Sequence, residues 1–352
     1  MNLVDRSIEI IYDGQSDTGA YLASPNFETY HYSWFRDGAF IAYAMDKAGE
    51  SRSAGRFHTW VAETLGKKQD VMRSAVEKIS SGKALSPADI LHTRYTVEGQ
   101  AGGEDWPNHQ LDGFGTWLWA LAEHQQLAGS VLLDDWRTPI NLLAAYLTAL
   151  WDQPCYDCWE EFPEEIHPYT LSAVYGGLNA AQHLTGADHS DVLTKIRQFV
   201  DQHAAPDGYF VKFIGSQMVD ASLLGLALPY GLVALDDPRM FATVARIESD
   251  LYHAGGVQRY AKDTYFGGGE WVLLGAWLGW YDALTGRRQQ AQEIRAWIEG
   301  AANANGELPE QVPQVLNDPV SYQPWVDRWG KIAQPLLWSH AMYLLLVDAL
   351  GD

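Results

Sequence analysis

The stretch YHYSWFRDGAFIAYAMDKAG, residues 30–49, runs from an aromatic and charged loop directly into a helix. Its second half, Phe40–Gly49, carries an apolar stripe and ends on glycine, which is a usual helix stop. The same alternation recurs along the chain: a loop rich in Gly, Trp, Asp or Glu leads into one helix, and a more ordinary amphipathic helix follows. This pattern predicts repeated helix hairpins.

Apolar residues at three- and four-residue intervals predict the remaining helices. These segments are Ser51–Ile79, Gly113–Leu127, Thr138–Trp151, Tyr169–Leu184, Ser190–His203, Ala221–Leu228, Arg239–Tyr252, Trp271–Leu284, Gln289–Gly300 and Leu336–Leu350. Only GYFVKFI, Gly208–Ile214, alternates convincingly enough to predict a strand. With no low-complexity linker, the chain is expected to form one all-α domain over residues 1–352. A closed ring of helix hairpins, opening on long loops at one end, would place a pocket there.

The composition restricts the class of partner. Hydrophobic residues make up 47% of the chain, enough for a large core, and the 15 tryptophans include flat apolar faces suited to stacking on sugar rings. A formal net charge of -21 repels phosphate backbones and anionic lipids, so nucleic acid and membrane partners are disfavoured. We therefore expect a small neutral substrate. The acidic start lacks a signal peptide, which predicts a cytoplasmic protein if Met1 is the natural terminus.

Metal and redox signatures are weak. Cys155 and Cys158 form a CxxC, but a second pair for zinc is missing and the context does not suit a redox helix. The eleven histidines form no HExxH pattern, and GGGE at Gly267–Glu270 is not followed by GK[ST]. The sequence predicts neither a metal nor a cofactor.

Several loops mix aromatic and charged residues beyond what a connector needs. They are YHYSWFRDGAF with Tyr30, Trp34, Arg36 and Asp37; EDWPNHQLDGFG with Trp106, Gln110 and Asp112; YDCWEEFPEE with Trp159, Glu160 and Glu161; QRYAKDTYFGGGEW with Arg259, Asp263, Tyr265 and Trp271; and GELPEQV with Glu310 and Gln311. Taken alone, each has an ordinary interpretation. An adjacent Arg and Asp can simply tie down a helix start, and an acidic run is usually solvated surface.

Two separated glutamates among tryptophans and arginines favour glycosidic chemistry. Cleaving an acetal needs a carboxylic acid near the leaving oxygen and a second carboxylate on the opposite side. If that second group activates water, the two stand roughly 6.5–9.5 Å apart and the anomeric configuration inverts. Because adjacent residues on one loop rarely face each other across a substrate, the partner of a glutamate in WEE should come from a distant loop. Glu310 is the obvious candidate.

In order and spacing, these motifs resemble glycoside hydrolase family 15, which includes glucoamylases, glucodextranases and isomaltose glucohydrolases. The resemblance runs from about Tyr30 to Leu350 and implies an (α/α)6 barrel. It implies that Glu160 is the general acid and Glu310 the general base. It also implies substrate-binding roles for Tyr30, Trp34, Arg36, Asp37, Trp106, Trp159, Glu161, Arg259, Tyr265, Trp271 and Gln311.

The expected activity is exo-hydrolysis of short α-glucosides with inversion, releasing β-D-glucose. The DCWEE...H..TL..VYGGL pattern is similar to the isomaltose-hydrolysing branch, although FPEEIHPYT replaces the usual continuation after WEE. Without a β-sandwich or starch-binding module, a short oligosaccharide is favoured over granular starch. Two alternatives remain open: a sugar epimerase using His109, His167 and His340, and a non-catalytic sugar-binding barrel. The oligomeric state is left undetermined.

Overall fold

The computed structural model describes residues 2–103, 106–129, 132–253 and 255–351, and this part of the chain is mainly α-helical. Its helices are α1 (Leu3–Asp13), α2 (Phe35–Lys47), α3 (Ser51–Gly66), α4 (Gln69–Ser80), α5 (Asp112–Ala128), α6 (Asp134–Leu150), α7 (Pro168–Thr185), α8 (Ser190–His203), α9 (Pro238–Asp250), α10 (Val272–Leu284), α11 (Arg288–Ala301), α12 (Pro319–Trp329) and α13 (Leu337–Leu350). A 3-10 helix, Ala221–Leu226, stands where the sequence predicted the α-helix Ala221–Leu228.

The strands are two residues long and belong to the loops. They are β1 (Ser33–Trp34), β2 (Arg94–Tyr95), β3 (Tyr252–His253), β4 (Gly256–Val257), β5 (Glu270–Trp271) and β6 (Gln311–Val312). Strands β1 and β2 pair antiparallel, and β3 to β6 form an antiparallel four-stranded sheet in chain order. These short pairings tie together loops that are distant in sequence.

The helices form two concentric layers. Around the inner ring, α2 contacts α5, α5 contacts α7, α7 contacts the 3-10 helix, and that helix contacts α10; α10 then contacts α13, which closes the ring against α2. Outside it, α3, α6, α8, α9, α11 and α1 pack against this ring. The result is the expected all-α (α/α)6 barrel.

Burial explains which helices lie inside. In α10, VLLGAWLGWYDAL, every residue from Val272 to Asp282 is buried, as expected of a helix covered on all sides. The outer helix α8 buries only Val192, Ile196 and Val200, a single stripe at four-residue spacing.

Two glycines allow α5 and α7 to approach closely. A Cβ added at Gly115 would lie 2.2 Å from the Ala173 carbonyl oxygen, and one at Gly177 would lie 2.5 Å from the Gly115 Cα. Any side chain at either position would push the helices apart. Aromatic packing fills the barrel centre, where Phe40 lies 5.2 Å from Trp277 and 5.4 Å from Trp338 between ring centroids. Burying one such side chain contributes roughly 1.5–3 kcal/mol.

Two further local predictions were wrong, and two helices were missed. Gly208–Ile214 is a loop, because its backbone N–H groups find separate partners instead of a neighbouring strand: Phe210 donates to the Thr243 hydroxyl and Ile214 to the Ile166 carbonyl. The segment Ser51–Ile79 forms two helices, with a break at residues 67–68. Helices α1 and α12 were not predicted. Within the described residues, no helix is long and apolar enough to cross a bilayer.

Candidate active site

A pocket of about 320 Å³ opens where the inner helices begin. Helices α2, α10 and α13 begin at this pocket, since residues at or next to their first positions line it, and the positive ends of their dipoles favour oxygen-rich ligands and carboxylates there. The lining residues are Ala23, Tyr30, Trp34, Arg36, Asp37, Trp106, Pro107, Cys158, Trp159, Glu160, Glu161, Arg259, Tyr265, Trp271, Glu310, Trp325, Arg328, Trp329, Leu336 and Trp338. All predicted site residues except Gln311 belong to this set.

The first arginine of the pocket is fixed by buried polar groups. Arg36 Nη1 donates to Gln110 Oε1 at 3.1 Å and to Asp112 Oδ2 at 3.2 Å, and its guanidinium lies 5.4 Å from the Trp338 ring centroid. Burial raises the pKa of Asp37 to about 6, although neighbouring Arg36 opposes the rise. Asp37 Oδ1 and Arg36 Nε form an ion pair at 3.3 Å, and within the described residues both atoms are buried without a well-aligned hydrogen-bond partner.

The second arginine lies on another wall. Arg259 Nε donates to Asp263 Oδ2 at 2.7 Å, and its Nη2 donates to Asp263 Oδ1 at 2.5 Å. The same Nη2 lies 3.4 Å from Glu161 Oε1, while the Tyr260 hydroxyl donates to Glu161 Oε2 at 2.6 Å. This bidentate pairing sets the plane of the guanidinium and leaves Glu161 facing the pocket beside it.

A buried polar network holds the loop that carries Glu160. Asp157 Oδ1 accepts the backbone N–H groups of Trp159 and Glu161, each at 2.9 Å. Lys212 Nζ donates to Asp157 at 2.8 Å and to Asp220 at 2.6 Å, and all three side chains are almost fully buried. Glu160 itself has φ 68°, a left-handed conformation that is uncommon for a residue with a side chain. The network thus stabilises a strained backbone at a candidate catalytic position.

The carboxyl group of Glu160 faces the pocket with one indole partner. Trp34 Nε1 donates to Glu160 Oε1 at 2.7 Å. Burial raises the pKa of Glu160 to about 6, more than offsetting the lowering effects of Arg36 and of the Trp106 and Trp34 indoles. Glu160 can therefore hold a proton in mildly acidic solution, where an ordinary glutamate is ionised.

Glu310 is more deeply buried, at 2% exposure, and lies immediately before β6. Tyr30 donates its hydroxyl proton to Glu310 Oε1 at 3.0 Å, and the Tyr265 hydroxyl lies 2.7 Å from that of Tyr30. Glu310 Oε2 has no hydrogen-bond partner in the described structure. Burial raises the pKa of Glu310 to about 8, against the lowering effects of Tyr30 and Arg259.

Helix α12 supplies a pocket wall that the sequence analysis missed. Trp325, Arg328 and Trp329 all line the pocket, and Trp329 stacks on Trp106 with ring centroids 6.1 Å apart. Trp325 lies 5.0 Å from the Tyr265 ring. The spacing of these three residues places them on one helix face, which is a readable signal, but no residue of α12 is buried and Pro324 interrupts its pattern. Trp338, beneath Arg36, was also missed.

Gln311, which was predicted to bind substrate, does not line the pocket. Glu310 lines the pocket, whereas the Gln311 side chain, at the start of β6, bonds to backbone groups of a neighbouring loop. Its Oε1 accepts the N–H of Gly269 at 3.0 Å and its Nε2 donates to the Tyr265 carbonyl at 3.3 Å. Gln311 therefore joins two loops of the wall.

The histidines needed by an epimerase lie outside the pocket lining. His340 accepts the Leu308 N–H at 3.0 Å and contacts Ser7 Oγ at 2.9 Å, while His167 bonds to backbone carbonyls at 3.0 Å. His109 does not contact the pocket either. Cys155 and Cys158 are buried free thiols, and burial raises the pKa of both.

Comparisons with known proteins agree with this geometry. Residues 2–303 match the profile of Glycosyl hydrolases family 15. An isomaltose glucohydrolase from Kribbella flavida is 42% identical over 99% of this chain and 92% of its own length. A solved glycosidase variant in complex with glucose superposes with a TM-score of 0.95 at 42% identity, covering 99% of this chain and 96% of that one.

More distant structures share the fold. A bacterial glucoamylase complexed with acarbose has a TM-score of 0.78 at 20% identity, and the alignment covers 99% of this chain but 55% of that one. The profile match ends before Glu310, whereas the relative from Kribbella flavida aligns over nearly the whole chain. The chain therefore belongs to glycosyl hydrolase family 15 and is a glycoside hydrolase.

Proposed function

We propose that the protein is an inverting, exo-acting α-glucosidase that releases β-D-glucose from the non-reducing end of short α-glucosides, with isomaltose favoured over maltooligosaccharides. The observation that carries the proposal is that Glu160 and Glu310, from loops distant in sequence, both reach one aromatic-lined pocket. Its volume of about 320 Å³ is at the small end of ligand sites, which suits a short substrate. The name of the 42% identical relative supports isomaltose.

In the proposed reaction, Glu160 gives its proton to the bridging oxygen as the bond from that oxygen to the anomeric carbon breaks. A water molecule forms the new bond to the anomeric carbon from the opposite face, and its proton passes to the Glu310 carboxylate. The directed chain from Tyr265 through Tyr30 to Glu310 favours the ionised form of Glu310. Arg36, Asp37 and Arg259 hold the hydroxyls of the terminal glucose.

The raised pKa values of Glu160 and Glu310 determine which of the two carboxyls carries a proton at a given pH. With Glu160 at about 6 and Glu310 at about 8, the two carboxyls share one proton between these pH values. The productive arrangement has that proton on Glu160, and it is the minor one in the free protein. Sugar hydroxyls bound beside Glu310 would favour its ionised form and so increase the productive fraction.

A proton NMR time course with isomaltose and maltose, each at equal concentration, tests the proposal. We expect the anomeric signal of β-glucose to appear before mutarotation produces the α-anomer, with faster release from isomaltose. Early α-glucose would mean retention and would remove Glu310 from its role as base. Failure to cleave either sugar would overturn the α-glucosidase assignment, and faster cleavage of maltose would overturn the linkage preference alone.

A further inference from the structure

A cluster of two imidazoles and a carboxylate lies at the end of the barrel opposite the pocket. Asp46 is in the last turn of α2, His124 is near the end of α5, and His58 is on the outer helix α3. Asp46 follows the pocket residue Asp37 by nine positions on α2, which places it about 13 Å farther along the helix axis. The cluster is therefore separate from the glycosidase site.

The three side chains converge closely. His124 Nδ1 lies 2.9 Å from each oxygen of Asp46, and the rings of His58 and His124 have centroids 4.9 Å apart. One ligand atom from each residue lies within 4.8 Å of the others, and all three residues are buried. Because the ligands come from helices far apart in sequence, no local spacing motif signals the cluster.

His58 is the residue that hydrogen bonding fails to explain. It is fully buried, and neither of its ring nitrogens has a hydrogen-bond partner in the described structure. A neutral imidazole carries one donor and one acceptor, and leaving both unmade in a core is costly. An apolar side chain would fill this space without that cost, so packing alone gives no reason for a histidine here.

We propose that Asp46, His58 and His124 bind a divalent transition-metal ion, with Zn²⁺ the best match. Two imidazole nitrogens and one carboxylate oxygen form a donor set that suits Zn²⁺. Tetrahedral bonds of about 2.0–2.1 Å would bring the ligand atoms to roughly 3.3 Å from one another, so the cluster must contract by side-chain rotation. The 10% exposure of the His124 side chain gives the ion a route from solvent.

The role that follows from this position is structural. Helix α3 belongs to the outer layer, whereas α2 and α5 are neighbours in the inner ring, and α3 packs against both. An ion held by one residue from each helix would fasten the two layers together at the closed end of the barrel. Since the unfolded chain does not hold these ligands together, binding stabilises the folded state.

Titration of the full-length, untagged protein with Co²⁺ tests this site, after treatment with a chelator and desalting. We expect one Co²⁺ per chain with visible d–d absorption bands, displacement of the bands by Zn²⁺, and a Tm that rises with Zn²⁺ and falls again with chelator. His58→Leu should lose the bands and the Zn²⁺-dependent Tm shift. His203→Leu, which removes an exposed histidine from the end of α8, should keep both.

Absence of stoichiometric Co²⁺ binding and of a Zn²⁺-dependent Tm shift in the wild-type protein would overturn the proposal. So would unchanged bands in His58→Leu, since the ion would then lie elsewhere. If His58→Leu does not fold, Asp46→Asn serves instead, because it keeps an acceptor for His124 while removing the ligand charge. That variant should bind Co²⁺ at least tenfold more weakly, and equal affinity would count against the site.

Discussion

The two candidate catalytic carboxyls are the same chemical group held in two different ways. Glu160 lies on an irregular loop with φ 68°, and the shape of that loop depends on buried Lys212 and Asp157. Glu310 is held by regular backbone contacts: its N–H donates to the Ala333 carbonyl at 2.9 Å, and its carbonyl accepts the Val272 N–H at 3.2 Å. A general base must hold a small water molecule in a precise position, and regular backbone contacts such as those of Glu310 suit that role.

The difference extends to their hydrogen bonds. Glu160 accepts one indole N–H from Trp34, whereas Glu310 accepts a phenolic hydroxyl that is itself linked to a second phenol. Phenols can relay and adjust their protons, while an indole N–H can only donate. The comparison indicates that the protonation of Glu310 depends on a chain of two hydroxyl groups, whereas the placement of the Glu160 carboxyl depends on its loop. Each of these two inferences can be tested by amino-acid substitution.

Replacing either carboxyl should have the largest effect. We expect Glu160→Gln and Glu310→Gln each to reduce kcat on isomaltose by about 10²–10⁴-fold or more, because each loses a proton-transfer group. The two variants should differ on α-glucosyl fluoride, whose leaving group needs little protonation. Steady-state fluoride release should be near the wild-type rate for Glu160→Gln and strongly reduced for Glu310→Gln. The reverse pattern would exchange the roles of acid and base.

Lys212→Met should disturb the position of the Glu160 loop and so reduce the activity that depends on the general acid. It leaves Asp157 and Asp220 buried without their shared cation, which should lower the free energy of unfolding by about 3–5 kcal/mol. The Glu160 loop should then shift, and a misplacement near 1 Å costs up to about 10²-fold in kcat on isomaltose. Activity on α-glucosyl fluoride should fall less, since the acid is not needed there.

Lys78→Met provides a control, because Lys78 also pairs with a buried aspartate, Asp89, at 2.5 Å, and neither residue lines the pocket. It should reduce stability, measured by urea unfolding, without changing kcat. Equal losses of activity on both substrates in Lys212→Met would show that the network supports the whole pocket and not Glu160 in particular.

That Glu160 and Glu310 share one pocket could be predicted from the sequence, but the residues that hold the Glu160 loop could not. Glu160 and Glu310 stand in loops rich in aromatic and charged residues, and the order and spacing of several such loops together, not any one loop alone, made them candidates. Lys212 lies in GYFVKFI, whose alternation predicts a strand. Its function depends on contacts with Asp157 and Asp220, and no local period encodes contacts between separate loops.

Most helices of the barrel were predictable because they bury apolar stripes or whole surfaces, which leaves a helical period in the sequence. The closed (α/α)6 arrangement was implied by the resemblance to the family. Helix α12 buries none of its residues, so it leaves no such record even though Trp325 and Trp329 form a pocket wall. The break between α3 and α4 was missed for a related reason. An apolar stripe continues across residues 67–68, and two helices that turn about a corner can share one pattern.

The pH dependence of kcat/KM tests whether Tyr30 controls the pKa of Glu310. Below pH 6 both carboxyls are protonated and the base is lost, while above pH 8 both are ionised and the acid is lost. With pKa values of about 6 for Glu160 and about 8 for Glu310, kcat/KM should follow a bell with limbs near these values. Tyr30→Phe removes a hydrogen bond that favours ionised Glu310, so its pKa should rise.

The alkaline limb of Tyr30→Phe should therefore move up by roughly half to one pH unit, as expected from a hydrogen bond of about 0.5–1.5 kcal/mol. The maximum of kcat/KM should fall, because the proton resides on Glu160 less often. Tyr265→Phe acts one bond farther away and should shift the limb less in the same direction. An unchanged alkaline limb in Tyr30→Phe would mean that Glu310 does not set it.

The smallest effect on catalysis is expected at Gln311, the sequence neighbour of Glu310. Gln311→Leu leaves the buried N–H of Gly269 without its acceptor, which should cost about 1–3 kcal/mol in urea unfolding, while KM for isomaltose changes by less than about twofold. Gln110→Leu is the matched control, because the Gln110 amide bonds to Arg36 and its loss should raise KM. A large rise in KM for Gln311→Leu would indicate that Gln311 binds substrate directly, although it does not line the pocket. If the two variants behave as expected, a single peptide step separates a carboxyl that acts on substrate from an amide that only supports the wall.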